Sequence, residues 1–195
     1  MPKVPFIDLS RQNKKQQKQF KKAFSKVLDT NAFVLGDDVA KFESHFAETI
    51  HIPYAVGVGS GTDALIFALK AAGVRCGDEV IVPSFTFVST ALAVLHLGAI
   101  PVFADVDEGT YNLDPQSMRK IVSKKTKAVI VVHLFGQTCQ MDEIRKVAKK
   151  NQLKIIEDAC QAHGAQWKKK YAGSLGDIGC FSFYPTKNLG GVGDG

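Results

Sequence analysis

The stretch Ala128-Val129-Ile130-Val131-Val132 contains five apolar residues in a row and no polar residue. A strand with one face in water alternates polar and apolar side chains, whereas a strand that is covered on both faces does not. Strands of the second kind belong to parallel sheets with helices on either side. This stretch therefore predicts an α/β fold.

The segments on either side of this strand alternate between short apolar runs and helical patterns. The predicted strands are 54–58, 79–82, 101–103, 128–132, 154–156 and 179–183. The predicted helices are 14–28, a segment around Val39, Phe42 and Phe46, and then 63–72, 88–97, 115–122 and 141–150. Asp114 before Pro115 is a clear helix start. This order predicts a three-layer αβα domain around a mostly parallel central sheet.

The composition is that of a folded domain with an ordinary charge balance. The chain has 195 residues, of which 45% are hydrophobic and 23% charged, and its formal net charge is +6. This length supports a single domain with a proper core, and the charged share argues against global disorder. Basic residues cluster at 11–22 and 168–170, and we interpret both clusters as solvated faces rather than nucleic-acid contacts. A basic field also suits a small anionic substrate such as a nucleotide sugar.

The four cysteines, Cys76, Cys139, Cys160 and Cys180, include no Cys-x-x-Cys pair. Three of them lie in apolar surroundings typical of buried free thiols. We therefore expect a reduced, cytoplasmic protein without structural zinc. Residues 1–6 contain no signal-peptide run, and no stretch approaches the roughly 18 apolar residues of a membrane span, which predicts a soluble protein.

A glycine-rich turn, Gly57-Val58-Gly59-Ser60-Gly61-Thr62, lies between a predicted strand and a predicted helix. Glycines let the backbone approach a phosphate closely, and the free N–H groups of a first helical turn attract an anion. The turn differs from a dinucleotide-binding fingerprint because Thr62 stands where the third glycine would be. It also lacks the Gly-Lys-Ser/Thr of a P-loop. On these residues alone, a phosphate site and an ordinary turn are both open interpretations.

The residues after the strand at 154–156 are Glu157-Asp158-Ala159-Cys160-Gln161-Ala162-His163-Gly164. The carboxyl ends of parallel strands face the ligand crevice of an α/β sheet. Asp158 is thereby placed to direct a carboxylate into a cleft, with Gln161 nearby, although capping of the next helix is an equal alternative. His163 has two interpretations, as a catalytic base or as a structural or exposed loop residue.

A single lysine, Lys187, follows the aromatic stretch Phe181-Ser182-Phe183-Tyr184 and precedes a glycine-rich turn. A lysine becomes a nucleophile where its surroundings favour the uncharged amine. Taken alone, this segment favours an exposed loop lysine over a nucleophile.

Four motifs, taken together and in this order, resemble the DegT/DnrJ/EryC1/StrS family of sugar aminotransferases. They are S-G-T-D-A-L at 60–65, P-S-F-T-F-V-S-T at 83–90, E-D-A-C-Q-A-H-G-A at 157–165 and G-D-I-G-C-F-S-F-Y-P-T-K-N-L-G-G at 176–191. The likeness runs from V-P-F-I-D-L at 4–9 to the last residue. The resemblance implies the aspartate-aminotransferase fold (fold type I), the cofactor pyridoxal 5'-phosphate (PLP) and a homodimer.

The resemblance also implies roles for individual residues. Lys187 matches the lysine that forms the Schiff base with PLP and later moves protons at the substrate carbon. Asp158 matches the acid that pairs with the pyridinium nitrogen, a contact that makes PLP an electron sink. Gln161 matches the residue that hydrogen-bonds the 3-hydroxyl group of the cofactor. Phe87 occupies the aromatic position that stacks on one face of the ring.

The remaining matches concern the phosphate group and the other face of the ring. Gly61, Thr62 and Ser182 match the phosphate-binding positions of the family. Ala159 or Cys160 would lie near the second face of the ring, and Cys160 stands where many members have alanine. No residue is expected to bind a metal.

The reaction implied by the resemblance is a ping-pong transamination. Glutamate or glutamine gives its amino group to the cofactor, and a keto group on a nucleotide-linked sugar then accepts it. The Y-P-x-K-N-L-G form around Lys187 favours a 3-keto-6-deoxyhexose carried on dTDP. The setting would be the biosynthesis of amino sugars, O-antigen lipopolysaccharide or another cell-surface polysaccharide. The expected partners are these substrates and a second copy of the chain, with no nucleic acid and no membrane.

The chain ends at Gly195 within a glycine-rich stretch that begins at Gly190. We interpret this end as an interruption: residues 1–195 would form the N-terminal part of the PLP-binding large domain, and the C-terminal small domain would be absent. Three alternatives compete with this interpretation. They are a non-catalytic member that binds PLP or a partner without turnover, a Rossmann-like nucleotide-binding module, and another fold type I enzyme. The missing third glycine argues against the second alternative. Lys187 argues against the sugar dehydratases of the family, which have a histidine there.

Overall fold

The computed structural model describes residues 4–195, and its central feature is a five-stranded sheet in which every neighbouring pair is parallel. The strands are β1 (Glu79–Pro83), β2 (Ile100–Ala104), β3 (Thr126–Val132), β4 (Lys154–Asp158) and β7 (Ile178–Cys180), in the spatial order β2-β1-β3-β4-β7. A small antiparallel hairpin joins β5 (Gln166–Trp167) to β6 (Lys170–Tyr171).

Six α-helices accompany the strands within the described part of the chain. They are α1 (Ser10–Thr30), α2 (Asp37–Thr49), α3 (Gly61–Ala71), α4 (Ser89–His96), α5 (Pro115–Ile121) and α6 (Met141–Asn151). A single 3₁₀ turn, Leu134–Gly136, follows β3. The predicted start of α5 is confirmed, because the Asp114 carboxylate accepts hydrogen bonds from the backbone N–H groups of Gln116 and Ser117.

The core lies in two layers on opposite faces of the sheet. On one face, side chains of α3 and α4 pack against alternate strand residues such as Val80, Ile130 and Ile156. On the other face, side chains of α5 and α6 pack against the intervening residues, such as Val129 and Val131. The stretch 128–132 is buried throughout, and each of its valine and isoleucine side chains contributes about 1.5–3 kcal/mol by leaving water. The predicted three-layer αβα fold is confirmed.

Two of the predicted strands need correction. Residues 54–58 form no strand, and Tyr54 is 83% exposed. The backbone N–H of Gly57 donates a hydrogen bond to the Glu43 carboxylate and not to a neighbouring strand. The residues of this segment favour an extended chain, but no strand lies beside them to complete a sheet. The predicted strand at 179–183 ends at Cys180. Beyond it, the chain turns away to pack the Phe183 ring against α2, where its centroid lies 5.0 Å from that of Phe42.

Helix α1 lies at the periphery and buries none of its residues within the described part of the chain. An ion pair between Lys26 and Asp38 joins it to α2 at 2.8 Å. None of the helices within residues 4–195 combines the length and the apolar character that crossing a bilayer would require. The expected absence of a signal-peptide run concerns residues 1–6, of which residues 1–3 lie outside the described residues.

Candidate functional site

The predicted site residues gather at the carboxyl end of the parallel sheet, where β4 and β7 end and α3 and α4 begin. Parallel strands present their ligand crevice at this edge. Asp158 is the last residue of β4, Ser182 follows β7 by two residues, and Gly61 is the first residue of α3. The fold therefore brings together positions that are widely separated in the sequence.

The start of α3 is closely packed against the segment after β7. Ser60 caps the helix, since its hydroxyl accepts a hydrogen bond from the backbone N–H of Asp63 at 3.1 Å. A Cβ atom added to Gly61 would lie 2.8 Å from Ser182 Cβ and 2.9 Å from Cys160 Sγ. Glycine is thus required at position 61 by space rather than by backbone angles. The result is a helix N-terminus with free N–H groups beside a serine, an arrangement suited to an anion such as phosphate.

The Asp158 carboxylate is buried, with only 7% of the residue exposed. Its Oδ2 atom accepts a hydrogen bond from Thr90 Oγ1 at 3.0 Å, and its Oδ1 atom accepts a longer one from the backbone N–H of Cys160 at 3.3 Å. Within residues 4–195, no lysine, arginine or histidine nitrogen lies within 4.0 Å of this carboxylate. Buried carboxylates are normally paired, so this one is suited to a cationic donor that comes from a ligand.

Gln161 follows the end of β4 by three residues, and Phe87 precedes the start of α4 by two. Gln161 Oε1 accepts a hydrogen bond from the backbone N–H of Phe135 at 3.0 Å, which fixes the amide and leaves its two N–H groups as donors. Phe135 adopts a left-handed conformation (φ 55°, ψ 21°) that is uncommon for a residue other than glycine. Phe87 is 64% exposed and so presents its ring for stacking.

Lys187 is half-buried in the turn after Tyr184, whose carbonyl accepts the backbone N–H of Lys187 at 2.8 Å. Its charge reaches two residues of the motif after β4. Burial and then the Asp158 carboxylate raise the pKa of the Cys160 thiol, and the Lys187 ammonium opposes that shift. The same ammonium contributes to a lowered pKa of His163. Lys187 therefore lies within electrostatic reach of the residues that follow Asp158.

His163 packs between aromatic rings beside the lysine segment. The centroid of its ring lies 5.3 Å from that of Phe181 and 5.2 Å from that of Phe183. Both ring nitrogens are buried and have no hydrogen-bond partner in the described part of the chain. Burial, followed by the charge of Lys187, lowers the pKa of His163, which favours the uncharged ring. These surroundings favour the structural interpretation over the catalytic one.

Sequence reasoning missed a buried pair on the far side of β4. His133 Nε2 lies 2.8 Å from Glu157 Oε2, and both side chains are wholly buried. Glu157 also accepts hydrogen bonds from the backbone N–H groups of Gly173, Leu175 and Gly176. The carboxylate thereby holds the loop that leads into β7 and on toward Lys187. The signal in the sequence that could have indicated this pair is a polar residue at 133 and at 157, each directly after a run of apolar strand residues.

Sequence reasoning also missed the hydroxyl groups of α4. Thr62 Oγ1 donates to Ser89 Oγ at 3.0 Å, which ties α3 to α4, and Thr90 donates to Asp158. Both α4 residues fall within the motif at 83–90, in which the resemblance implies a role for Phe87 alone. Two adjacent hydroxyl residues at the start of an apolar helix were the sign that could have revealed them.

The described residues offer no cluster of three or more His, Cys, Asp or Glu side chains arranged to hold a metal ion. All four cysteines are free: Cys139 and Cys180 are buried, Cys160 is half-buried and Cys76 is exposed. The crevice instead suits a flat heteroaromatic ring with a phosphate group. The phosphate would meet the start of α3, and a protonated ring nitrogen would meet Asp158.

A family model described as the DegT/DnrJ/EryC1/StrS aminotransferase family matches residues 14–195. Three curated relatives match nearly all of the chain. A pleiotropic regulatory protein of Geobacillus stearothermophilus is 45% identical, with 98% of this chain and 52% of that protein covered. A dTDP-3-amino-3,6-dideoxy-alpha-D-galactopyranose transaminase of Aneurinibacillus thermoaerophilus is 46% identical, with 92% and 50% covered. A UDP-N-acetyl-3-dehydro-alpha-D-glucosamine 3-aminotransferase of Acidithiobacillus ferrooxidans is 44% identical, with 98% and 52% covered.

Solved structures show the same architecture. S. venezuelae DesV in complex with a ketimine intermediate superposes with a TM-score of 0.95 at 42% identity, covering 100% of this chain and 52% of that one. Bacillus subtilis ntda with bound cofactor PMP superposes with a TM-score of 0.92 at 35% identity, covering 100% and 44%. The chain thus spans about half the length of the proteins it matches.

Proposed function

The chain belongs to the DegT/DnrJ/EryC1/StrS aminotransferase family, and from this premise we propose that it carries the PLP site of a nucleotide-sugar aminotransferase. The observation that carries the proposal is the Asp158 carboxylate, which is buried at the ligand edge of the sheet without a cation among the described residues. A protonated pyridine nitrogen would supply that cation. Structural relatives with bound PMP or in a PLP form agree with this choice of cofactor.

When bound, PLP supplies an aldehyde that captures amines and a ring that accepts electrons. The chain's own residues would hold it and move protons around it. Asp158 would keep the ring nitrogen protonated through a charge-assisted hydrogen bond. The first turn of α3, with Gly61, Thr62 and Ser182, would bind the phosphate. Gln161 would donate an amide N–H to the 3-hydroxyl oxygen.

Lys187 would have two tasks in succession. Its Nζ atom would bind the cofactor covalently in the resting state. Once an amino donor displaces it, the free amine would take a proton from the donor's α-carbon as a general base and return one as a general acid. Phe87, which is 64% exposed, would stack on one face of the ring and keep water from that face.

We propose a 3-keto sugar carried on a nucleotide as the amino acceptor, with a dTDP-linked 3-keto-6-deoxyhexose as the first candidate. Five of the curated relatives are named for 3-amino, 3-dehydro or 3-oxo sugars, on dTDP or on UDP. Glutamate or glutamine is the proposed donor. The product would serve cell-surface polysaccharide biosynthesis, a setting shared by a relative named as a spore coat polysaccharide biosynthesis protein. A homodimer is the proposed assembly.

The half-reaction with the amino donor tests this function without the sugar. The chain is loaded with PLP, freed of excess cofactor and mixed with glutamate or glutamine. We expect release of up to about one 2-oxo acid per chain, together with loss of the visible absorbance of covalently bound PLP. Lys187→Ala should abolish the release. Lys154→Ala, which removes an exposed lysine paired with Asp177, should preserve it.

Each outcome of this experiment has a distinct meaning. PLP bound at Lys187 without release of 2-oxo acid would favour the non-catalytic alternative, in which the chain binds the cofactor without turnover. Failure of the chain to bind PLP at Lys187 would contradict the proposal itself.

A further inference from the structure

Two threonine hydroxyl groups lie in line behind the Asp158 carboxylate. Thr90 Oγ1 is 3.0 Å from Asp158 Oδ2, and Thr86 Oγ1 is 3.0 Å from Thr90 Oγ1. An ionised carboxylate can only accept, so the one proton of the Thr90 hydroxyl points to Asp158. The Thr90 oxygen then has only acceptor capacity left, and Thr86 must donate to it. The hydrogen bonds therefore run in one direction, from Thr86 through Thr90 to Asp158.

We propose that Thr90, supported by Thr86, is a positioning residue that orients the Asp158 carboxylate toward the ring nitrogen of PLP. This inference rests on the proposed function and deepens it. Thr90 touches no reacting atom in this view and acts only through Asp158. Its task is to hold one carboxylate oxygen so that the remaining lone pairs face the crevice.

The surroundings of Asp158 leave this task to Thr90. The other contacts of the carboxylate come from Cys160, whose backbone N–H donates to Asp158 Oδ1 at 3.3 Å, a longer hydrogen bond than the 3.0 Å one from Thr90. Thr90 is wholly buried and is branched at Cβ, so its side chain has few rotamers available. Its backbone N–H also bonds the carbonyl of Phe87 at 3.1 Å. The hydroxyl thus has a fixed direction.

The first turn of α4 contacts both ends of the proposed cofactor site. At one end, Ser89 accepts a hydrogen bond from Thr62, which is one of the phosphate-binding positions. At the other end, the adjacent Thr90 donates to Asp158. One rigid helical turn therefore sets the spacing between the phosphate site and the partner of the ring nitrogen. Loss of the Thr90 hydroxyl should disturb the ring-nitrogen end and leave the phosphate end intact.

Two variants of Thr90 and one matched control test the inference in the full 195-residue chain. Thr90→Val keeps the shape and removes the hydroxyl, whereas Thr90→Ser keeps the hydroxyl. Thr126→Val is the control: Thr126 is also buried, its hydroxyl accepts the backbone N–H of Ser123 at 2.9 Å, and it begins β3 at the opposite end of the sheet. The measurements are the dissociation constant for PLP, the pH profile of the visible spectrum of bound PLP, and the melting temperature.

We expect Thr90→Val to weaken PLP binding roughly tenfold, since it removes a hydrogen bond to a charged group. It should also shift the pH profile of the spectrum, which a merely structural loss would leave in place. Thr90→Ser should restore most of the affinity and the pH profile. Thr126→Val should lower the melting temperature and change neither property of the cofactor.

Three results would overturn the inference. The first is that Thr90→Val changes neither the affinity for PLP nor the pH profile of the spectrum. The second is that Thr90→Val and Thr90→Ser lose PLP affinity equally. In both cases the unsubstituted chain still binds PLP, and the proposed function stands. Failure of the unsubstituted chain to bind PLP would remove the proposed function and this inference together.

Discussion

His133 and Glu157 form a buried pair directly behind the proposed site, with His133 Nε2 2.8 Å from Glu157 Oε2. The backbone N–H of Cys139 donates to His133 Nδ1 at 3.1 Å, so the ring proton lies on Nε2 and points to the carboxylate. Three backbone N–H groups of residues 173–176 donate to the same carboxylate. The wholly buried Glu157 carboxylate is thus stabilised by four hydrogen-bond donors, the His133 ring and three backbone N–H groups.

Glu157→Gln should destabilise the fold. The glutamine amide would place N–H groups where the carboxylate now accepts, so at least one buried donor would lose its partner. We expect a loss of about 1–3 kcal/mol in the free energy of unfolding, measured by denaturant titration. The control is Glu143→Gln, which alters an exposed pair with Lys146 and should cost less than about 1 kcal/mol. Equal midpoints for the two variants would contradict the structural role of Glu157.

Gly61→Ala should impair both packing and cofactor binding. The new methyl group would lie 2.8 Å from Ser182 Cβ, so the start of α3 and the segment after β7 would have to move apart. Overpacking of this kind costs about 1–3 kcal/mol of stability, and the displaced N–H groups should weaken PLP binding about tenfold or more. Gly109→Ala is the control, because its methyl group would meet Asp107 only at 3.4 Å. The expectation is wrong if Gly61→Ala binds PLP as the control does.

The pKa shift of His163 predicts a particular pH dependence. Burial, followed by the charge of Lys187, lowers the folded-state pKa of His163 below its ordinary value of 6.5. The unfolded chain therefore takes up this proton first, and stability falls as the pH drops through about 6.5. In His163→Phe, the unfolding midpoint should decline less between pH 7.5 and 5.5 than in the unsubstituted chain. Parallel declines would show that His163 makes no such contribution.

Thiol accessibility gives a test of the fold that needs no cofactor. Cys76 is exposed, whereas burial raises the pKa of the Cys139 thiol to about 12 and raises those of Cys160 and Cys180 as well. A thiol reagent at pH 7.5 should modify one cysteine rapidly in the native chain and all four after denaturation. Cys76→Ser should remove the rapid phase. Rapid modification of two or more thiols in the native chain would contradict the packing around β4 and β7.

The sequence could predict what depends on local patterns. The apolar run at 128–132 identified the central strand, and Asp114-Pro115 identified the start of α5. The wrong or missing secondary-structure predictions have causes in the tertiary structure or in an unusual turn. The 54–58 segment has strand-forming residues and no sheet partner. The β5–β6 hairpin turns through Lys168 and Lys169, both of which have positive φ angles. The sequence did not predict this turn because it contains no Asn-Gly or similar pair there.

In the candidate site, too, some features could be predicted from the sequence and others could not. Motif residues such as Asp158 and Gly61 could be placed at strand ends and helix starts from the sequence, because a parallel sheet gathers those positions at one edge. The contacts that orient them could not. Thr90 and Asp158 are 68 residues apart in the chain, and only the packing of α4 on the sheet brings the hydroxyl to the carboxylate.

The central claim is that Lys187 is the residue to which PLP binds covalently. The most direct measurement is to incubate the chain with PLP, reduce it with borohydride and locate the attached group by peptide mass spectrometry. We expect about one group per chain, on the peptide that contains Lys187, and none there in a Lys187→Ala variant. A label spread over exposed lysines such as Lys154, and unchanged in amount by Lys187→Ala, would contradict the claim.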